Sequence, residues 1–176
     1  SVDDDSLRVP MLLRYPKLVP AGQVPGQIAL NIDIAPTLLD LAGLPVPAQM
    51  QGRSWLPLLT GKPTDWRKSF LAEYFTESTY PNTPTIVALR TETAKLTKYP
   101  GHAEWTELFD LKNDPYETNN LAPVPAHAQM LGKMNAGLDD QAKAVDYCVP
   151  AYADKVPFNP TDPEEKVKAK QKKPTP

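Results

Sequence analysis

Apolar and polar residues along this chain follow two different periods, and the change between them divides it into elements. From Ser69 onward they alternate in short runs, and segments 70–75, 85–90, 94–99 and 104–111 each read as a strand bounded by turn residues. Short connections between four such segments predict a small antiparallel sheet. After Leu121 the period lengthens. Met130, Leu131, Met134 and Leu138 form one stripe of an amphipathic helix through about Ala144, which is expected to cover that sheet.

The first third of the chain reads differently. Residues 9–15, VPMLLRY, are nearly all apolar and end at Pro16, the pattern of a strand buried on both faces of a sheet. A turn-rich stretch follows with Pro20, Gly22, Pro25 and Gly26. Asp33 then stands as an N-cap, Pro36 falls in the tolerated first turn and Gly43 is a natural stop, which predicts a short helix. Its Ile34, Leu38 and Leu41 share one face, so it is expected to pack through them. Ser54 as cap and Gly61 as stop repeat the device.

Further on, Asp114-Pro115-Tyr116-Glu117 has the form of a helix start. Asp114 would cap, Pro115 would take the first helical position, and Glu117 would reach back to the cap's own N–H. From Pro150 onward Pro, Lys and Glu replace apolar residues, and this tail is expected to be disordered or extended. No internal repeat is visible.

Composition narrows the functional classes. A length of 176 residues suits one domain with a real core. A net charge of −2 supplies no electrostatic argument for nucleic acid, and no apolar run approaches the roughly 20 residues of a membrane span. The 21 prolines are more than twice the usual share of about 5% and predict many short elements joined by stiff loops. Cys148 is the only cysteine, so no internal disulfide forms, and a buried thiol is expected.

Several phrases, taken in order, resemble the sulfatase family of the alkaline phosphatase superfamily. They are SLRVP at 6–10, DIAPTLLDLAG at 33–43, and QGRS at 51–54 with LPLL at 56–59. ALRT at 88–91, Lys98-Tyr99 and ELFDLKNDPYETNNLA at 107–122 complete the series. The resemblance implies an α/β fold, α+β in its C-terminal part. It would hold the last strand and helices of a sulfatase-type α/β domain over 1–66, a C-terminal subdomain of four-stranded sheet plus helix over 67–148, and a tail over 149–176. It also implies a parent reaction, hydrolysis of a sulfate ester on a carbohydrate or aryl substrate. In that family a formylglycine made within a C/S-x-P-x-R motif acts with a divalent cation, usually calcium, held on Asp and Asn oxygens. Nearly all those residues precede the SLRVP phrase in a full-length member of the family, so this chain is expected to be the C-terminal portion. Its partner would be the N-terminal catalytic part of the same polypeptide. It would complete the fold and shape the substrate pocket without catalysing the reaction, and the resemblance implies a periplasmic or secreted location. The two alternatives are a phosphodiesterase or phosphonate hydrolase of the same superfamily and a stand-alone binding module.

Within this frame few residues invite a chemical role. Cys148-Val149-Pro150 begins like the modification motif, but residue 152 is Tyr where Arg is required. Asp3-Asp4-Asp5 lacks the glycine-bearing loop of a calcium site and is expected to be a solvated loop. His102, in a Pro-Gly-His turn between two strands, is a candidate substrate contact, because loops of this subdomain can reach the pocket rim. Glu73 and Tyr74, at the end of the first strand of the sheet, are candidate contacts on the same reasoning. His127 is expected to face solvent. Arg8 and Arg14 are expected to pair with carboxylates outside this chain, and Trp55, Trp66 and Trp105 to fill core or lid positions.

Overall fold

The computed structural model describes residues 4–62, 64–77, 79 and 82–153. In chain order its elements are α1 (Asp4–Leu7), α2 (Ile34–Leu41), α3 (Leu56–Leu59), β1 (Ser69–Tyr74), β2 (Ile86–Thr91), β3 (Ala94–Lys98), β4 (Glu107–Asp110) and α4 (Ala128–Ala144), with short 3₁₀ turns between some of them. They form two compact units, one drawn from Ser1–Leu7 with Phe70–Pro176, the other from Arg8–Ser69. Most of the expected tail, 154–176, lies outside the described residues.

In the unit made of Ser1–Leu7 and Phe70–Pro176, the sheet runs β1-β2-β3-β4, as the strand-by-strand reading predicted. Its register explains its core. Leu89 pairs with Leu96 and Leu96 with Leu108, so these leucines share one face. Helix α4 covers that face with Met134 and Leu138, burying a cluster that also contains Ala94. The strands are not one-sided, however. On the opposite face Arg90 pairs with Lys95 and Lys95 with Phe109, and Lys95 and Thr97 are fully buried. Two cations therefore stand side by side on a dry face, an arrangement that requires compensating charge.

Two carboxylates supply it, and both correct the sequence reading. Asp4 is buried rather than solvated. It accepts hydrogen bonds from Arg90 Nε at 2.6 Å and Nη2 at 3.2 Å. Its neighbour Asp3 lies outside the described residues. Glu117 does not reach back to a cap. Its carboxylate contacts Lys95 Nζ at 2.5 and 2.6 Å and accepts the Asp4 amide at 3.3 Å. To make that reach, Glu117 takes a left-handed backbone, φ 56°, which is uncommon for a residue with a side chain. No helix starts there. Asp114 does cap, but it caps a turn: its oxygens accept the amides of Thr118 at 3.0 Å and Asn119 at 2.8 Å. These bonds, the Thr118 amide foremost, hold the Asp114 carboxyl below its ordinary range. Helix α4 begins later, behind a 3₁₀ turn at Pro125–His127.

The Arg8–Ser69 unit is organised around Asp33. Its side chain is wholly buried and does not cap α2 as expected. Instead it accepts Leu30 N at 2.9 Å, Arg53 N at 2.8 Å and Trp55 Nε1 at 3.1 Å. Arg67 closes a two-pronged pair on the same carboxylate, with Nη2 at 2.7 Å and Nη1 on the other oxygen. One side chain thus ties three segments, 30–33, 53–55 and the one bearing Arg67, and Trp55, Leu59 and Trp66 pack beside it as a small core. Gly52 meets the same knot from behind: a Cβ there would lie 2.0 Å from the Ile32 carbonyl oxygen. Gly43 stops α2 as expected, at φ 69°, with the Leu44 amide reaching Leu39 O at 2.9 Å.

Two expectations fail in this unit. Residues 9–15 form no strand, and Leu12 is 99% exposed. A strand needs partners for its amides and carbonyls, and no described segment runs beside this one. Similarly, α2 buries Pro36 and Thr37, while Ile34 and Leu38 face outward. Thr37 accounts for the reversal. Its hydroxyl donates to Asp33 O at 2.6 Å and accepts Trp55 N at 2.9 Å, which turns the polar edge of the helix inward.

Candidate functional site

The sequence candidates gather at one end of the sheet. The turn after β3 carries His102, closed by the His102 amide on Tyr99 O at 2.8 Å. The β1–β2 connection is closed by Thr76 N on Thr85 Oγ1 at 3.1 Å, which brings the end of β1, with Glu73 and Tyr74, beside the start of β2. Because Val87 of β2 pairs with Lys98 of β3, both features lie at the same sheet end. The strands that carry them are two spacings apart, about 10 Å.

His102 is fixed rather than loose. Its ring stacks on Trp105 at 3.8 Å between centroids and 4° between planes, and Trp105 in turn meets Tyr99 edge-on at 5.8 Å. The imidazole Nδ1 faces Glu104 at 3.4 Å. The Tyr99 hydroxyl donates to Glu107 at 2.8 Å, so the aromatic row is anchored at its inner end. At the other edge Glu73 is exposed and Tyr74 half-buried. The ring of Tyr147 stacks on Phe75 at 6.2 Å. Burial raises the Tyr147 phenol above its ordinary value, and the charges of Glu73 and Cys148 add to the shift. Cys148 itself is exposed, contrary to the buried thiol expected, because it follows α4 on an open turn. His127 is half-buried at the foot of α4.

The charged groups that sequence reasoning did not single out are the basic partners of the buried carboxylates, Arg67, Arg90 and Lys95. Arg67, the partner of Asp33, carries no local signal at all, being separated from it by 34 residues. In the Asp33 carboxyl two effects oppose each other. Burial alone would raise it. Hydrogen bonds from Arg67, the Arg53 and Leu30 amides and Trp55 outweigh burial and hold it below the ordinary carboxylate range. An acid so thoroughly engaged is a structural hub rather than a proton donor. No group of three or more His, Cys, Asp or Glu among the described residues is placed to hold a metal ion. No described helix is long and apolar enough to cross a membrane.

The four-stranded antiparallel sheet and its helices form a mixed α/β arrangement that matches solved sulfatase structures. Residues 1–144 match the family described as N-sulphoglucosamine sulphohydrolase, C-terminal, and the chain belongs to that family. It is 32% identical over 143 residues to an N-acetylglucosamine-6-O-sulfatase of Bacteroides thetaiotaomicron, a match covering 80% of this chain and 26% of that protein. Among solved structures it resembles one in complex with its substrate D-glucosamine-2-N,6-O-disulfate. There the TM-score is 0.70 and the identity 32%, over 76% of this chain and 28% of that one. A phosphonate monoester hydrolase from Silicibacter pomeroyi is also similar, with TM-score 0.54 and 29% identity over 64% of this chain and 24% of that one. The chain thus spans about a quarter of the length of the relatives it matches. The α/β fold and the sulfatase relationship expected from the motif series both stand.

Proposed function

We propose that this chain is the C-terminal part of a sulfatase, in which it completes the fold and shapes one wall of the substrate pocket. The reaction of the whole protein is hydrolysis of a sulfate ester on a sugar. The observation that carries this reading is the family match over residues 1–144, together with the fold similarity to a sugar-disulfate complex. His102, Glu73 and Tyr74 are the groups proposed to reach the substrate from this side, since all three sit at one sheet end and Glu73 is open to solvent.

The remaining partner is the upstream catalytic part of the same polypeptide. The Arg8–Ser69 unit supports this, because Leu12, Val24, Ile34 and Leu38 are exposed apolar side chains that water solvates poorly. In the same unit an open groove of about 850 Å³ is lined by Leu13, Val19 and Leu58 among others. The cation and formylglycine of the family are proposed to reside in that upstream part. The buried carboxylates of this chain do not suit a metal, since Asp4 and Asp33 are already held by arginines.

Two sulfate-release assays test the proposal. The 176-residue chain alone, with added calcium, is expected to release no sulfate from an aryl sulfate or from 6-O-sulfated glucosamine. A polypeptide extended upstream through the formylglycine motif is expected to release it from the sugar. Turnover by the chain alone would sink the assignment, and so would an extended protein that cleaves no sulfate ester. The similarity to a phosphonate monoester hydrolase keeps one rival in view. It predicts that the extended protein prefers a phosphonate monoester over the sulfate.

A further inference from the structure

Between the sheet end and α4 lies a cleft of about 880 Å³, within the few-hundred to thousand Å³ range of small-molecule sites. Val87, Lys98, Tyr99, Glu104, Asn120 and Asn135 line it. Lys98 is the unusual member. The register of β3 puts it on the same face as Leu96, the face that α4 covers with apolar side chains. A cation on that face needs a reason, and among the described residues its ammonium is paired with no carboxylate.

The walls around it are fixed in advance. The Asn120 side-chain oxygen accepts Leu108 N at 3.0 Å and Ala122 N at 2.9 Å, while its Nδ2 donates to Thr106 O at 3.0 Å. Tyr99 is held by its bond to Glu107. Rigid walls lower the ordering cost of binding. Glu104 supplies a largely exposed carboxylate, and the Asn135 amide oxygen has no hydrogen-bond partner among the described residues. Among the described residues the cleft therefore presents one cation without a carboxylate partner, together with uncharged or anionic acceptors suited to hydroxyl groups. Beside it, Trp105 has one face covered by His102.

We propose that this cleft holds a sulfated saccharide, with Lys98 reading the sulfate and Glu104 and Asn135 reading sugar hydroxyls. The choice of a sulfated sugar among anionic polyols rests on the sulfatase reading above. The test is an amide-shift NMR titration of the whole 176-residue chain with a sulfated glucosamine disaccharide, its unsulfated counterpart and inorganic sulfate. The expected result is shifts at Lys98, Thr106 and Asn135 with the sulfated disaccharide, saturating in the millimolar range. Lys98→Gln should weaken that binding at least fivefold with an unchanged circular dichroism spectrum, whereas Arg14→Gln should not change it. Absence of these shifts overturns the proposal. So does equal binding of the unsulfated sugar, or inorganic sulfate binding as tightly as the disaccharide. The two readings fail separately. An extended protein that hydrolyses sulfate esters while the cleft shows no shifts refutes this inference alone. Cleft binding in a protein that cleaves no sulfate ester leaves this inference standing and refutes the proposed reaction.

Discussion

Replacing Asp33 by Ala should be the most damaging single change in the Arg8–Ser69 unit. It strips the partner from Arg67, whose side chain is only 10% exposed, and leaves a nearly buried guanidinium without its counter-charge. Breaking a buried pair from one side costs about 3–5 kcal/mol. The Leu30 and Arg53 amides and the Trp55 indole lose an acceptor as well, each worth about 1–3 kcal/mol if it finds no water. These costs do not add fully, because the space vacated admits solvent, so about 3–5 kcal/mol is the working figure. Against a domain stability of about 5–15 kcal/mol it is enough to loosen the unit. The assay is urea unfolding followed by tryptophan fluorescence, since Trp55 and Trp66 both report on this core. Asp33→Ala combined with Arg67→Met should recover part of the loss, because no charge is then stranded. A loss below about 1 kcal/mol would refute the assignment of Asp33 as hub, as would a double variant no better than the sum of the singles. The pH dependence gives a second check. The folded carboxyl sits below its ordinary value of 3.8, so its contribution is present above that pH and disappears as pH falls through the folded value. The urea midpoint of the wild type should therefore drop below about pH 4 more steeply than that of Asp33→Asn.

Two other substitutions test the remaining close contacts. Gly52→Ala places a methyl group 2.0 Å from the Ile32 carbonyl, a backbone atom that cannot step aside. It should lower the stability of that unit by about 1–3 kcal/mol in the same urea assay, the range for overpacking, and a neutral result would mean the two segments part easily. Glu117→Gln leaves the buried Lys95 ammonium uncompensated and should cost about 3–5 kcal/mol, whereas Lys95→Met with Glu117→Leu should be near neutral. Thermal melts by circular dichroism distinguish these outcomes, and equal destabilisation by both variants would contradict the charge argument.

What was legible in the sequence follows from the range of each interaction. The strands and α4 were readable because alternation and helical spacing are properties of neighbouring residues, and Leu89, Leu96 and Leu108 did face Met134 and Leu138. The stops at Gly43 and Gly61 were readable for the same reason. Asp4, Asp33 and Glu117 were misread because each has a local grammar, acidic loop, cap and capping box, that competes with a distant arginine or lysine. Their partners lie 86, 34 and 22 residues away, and a buried charge pair outweighs a cap. Residues 9–15 and the Ile34–Leu38 face were misread from the other direction. Their composition says that they are suited to burial, but burial also requires something to pack on them. Of the candidate contacts, the position of His102 in a turn was legible, while its stacking on Trp105 was not, because ring geometry leaves no trace in spacing.

The pairing of Asp4 with Arg90 also has a consequence for assembly. The sheet-bearing unit takes its first residues from Ser1–Leu7 and resumes only at Phe70, so the Arg8–Ser69 unit is, by connectivity, an insertion within it. During synthesis Asp4 leaves the ribosome long before Arg90, and the loop between them must close before the cationic face of the sheet is neutralised. Loop-closure entropy grows only slowly with length, by about 0.6 kcal/mol per doubling. A change in the length of the inserted unit should therefore cost its host little. What it cannot do is detach Asp4, because the sheet would then be left with a buried arginine and no partner for it.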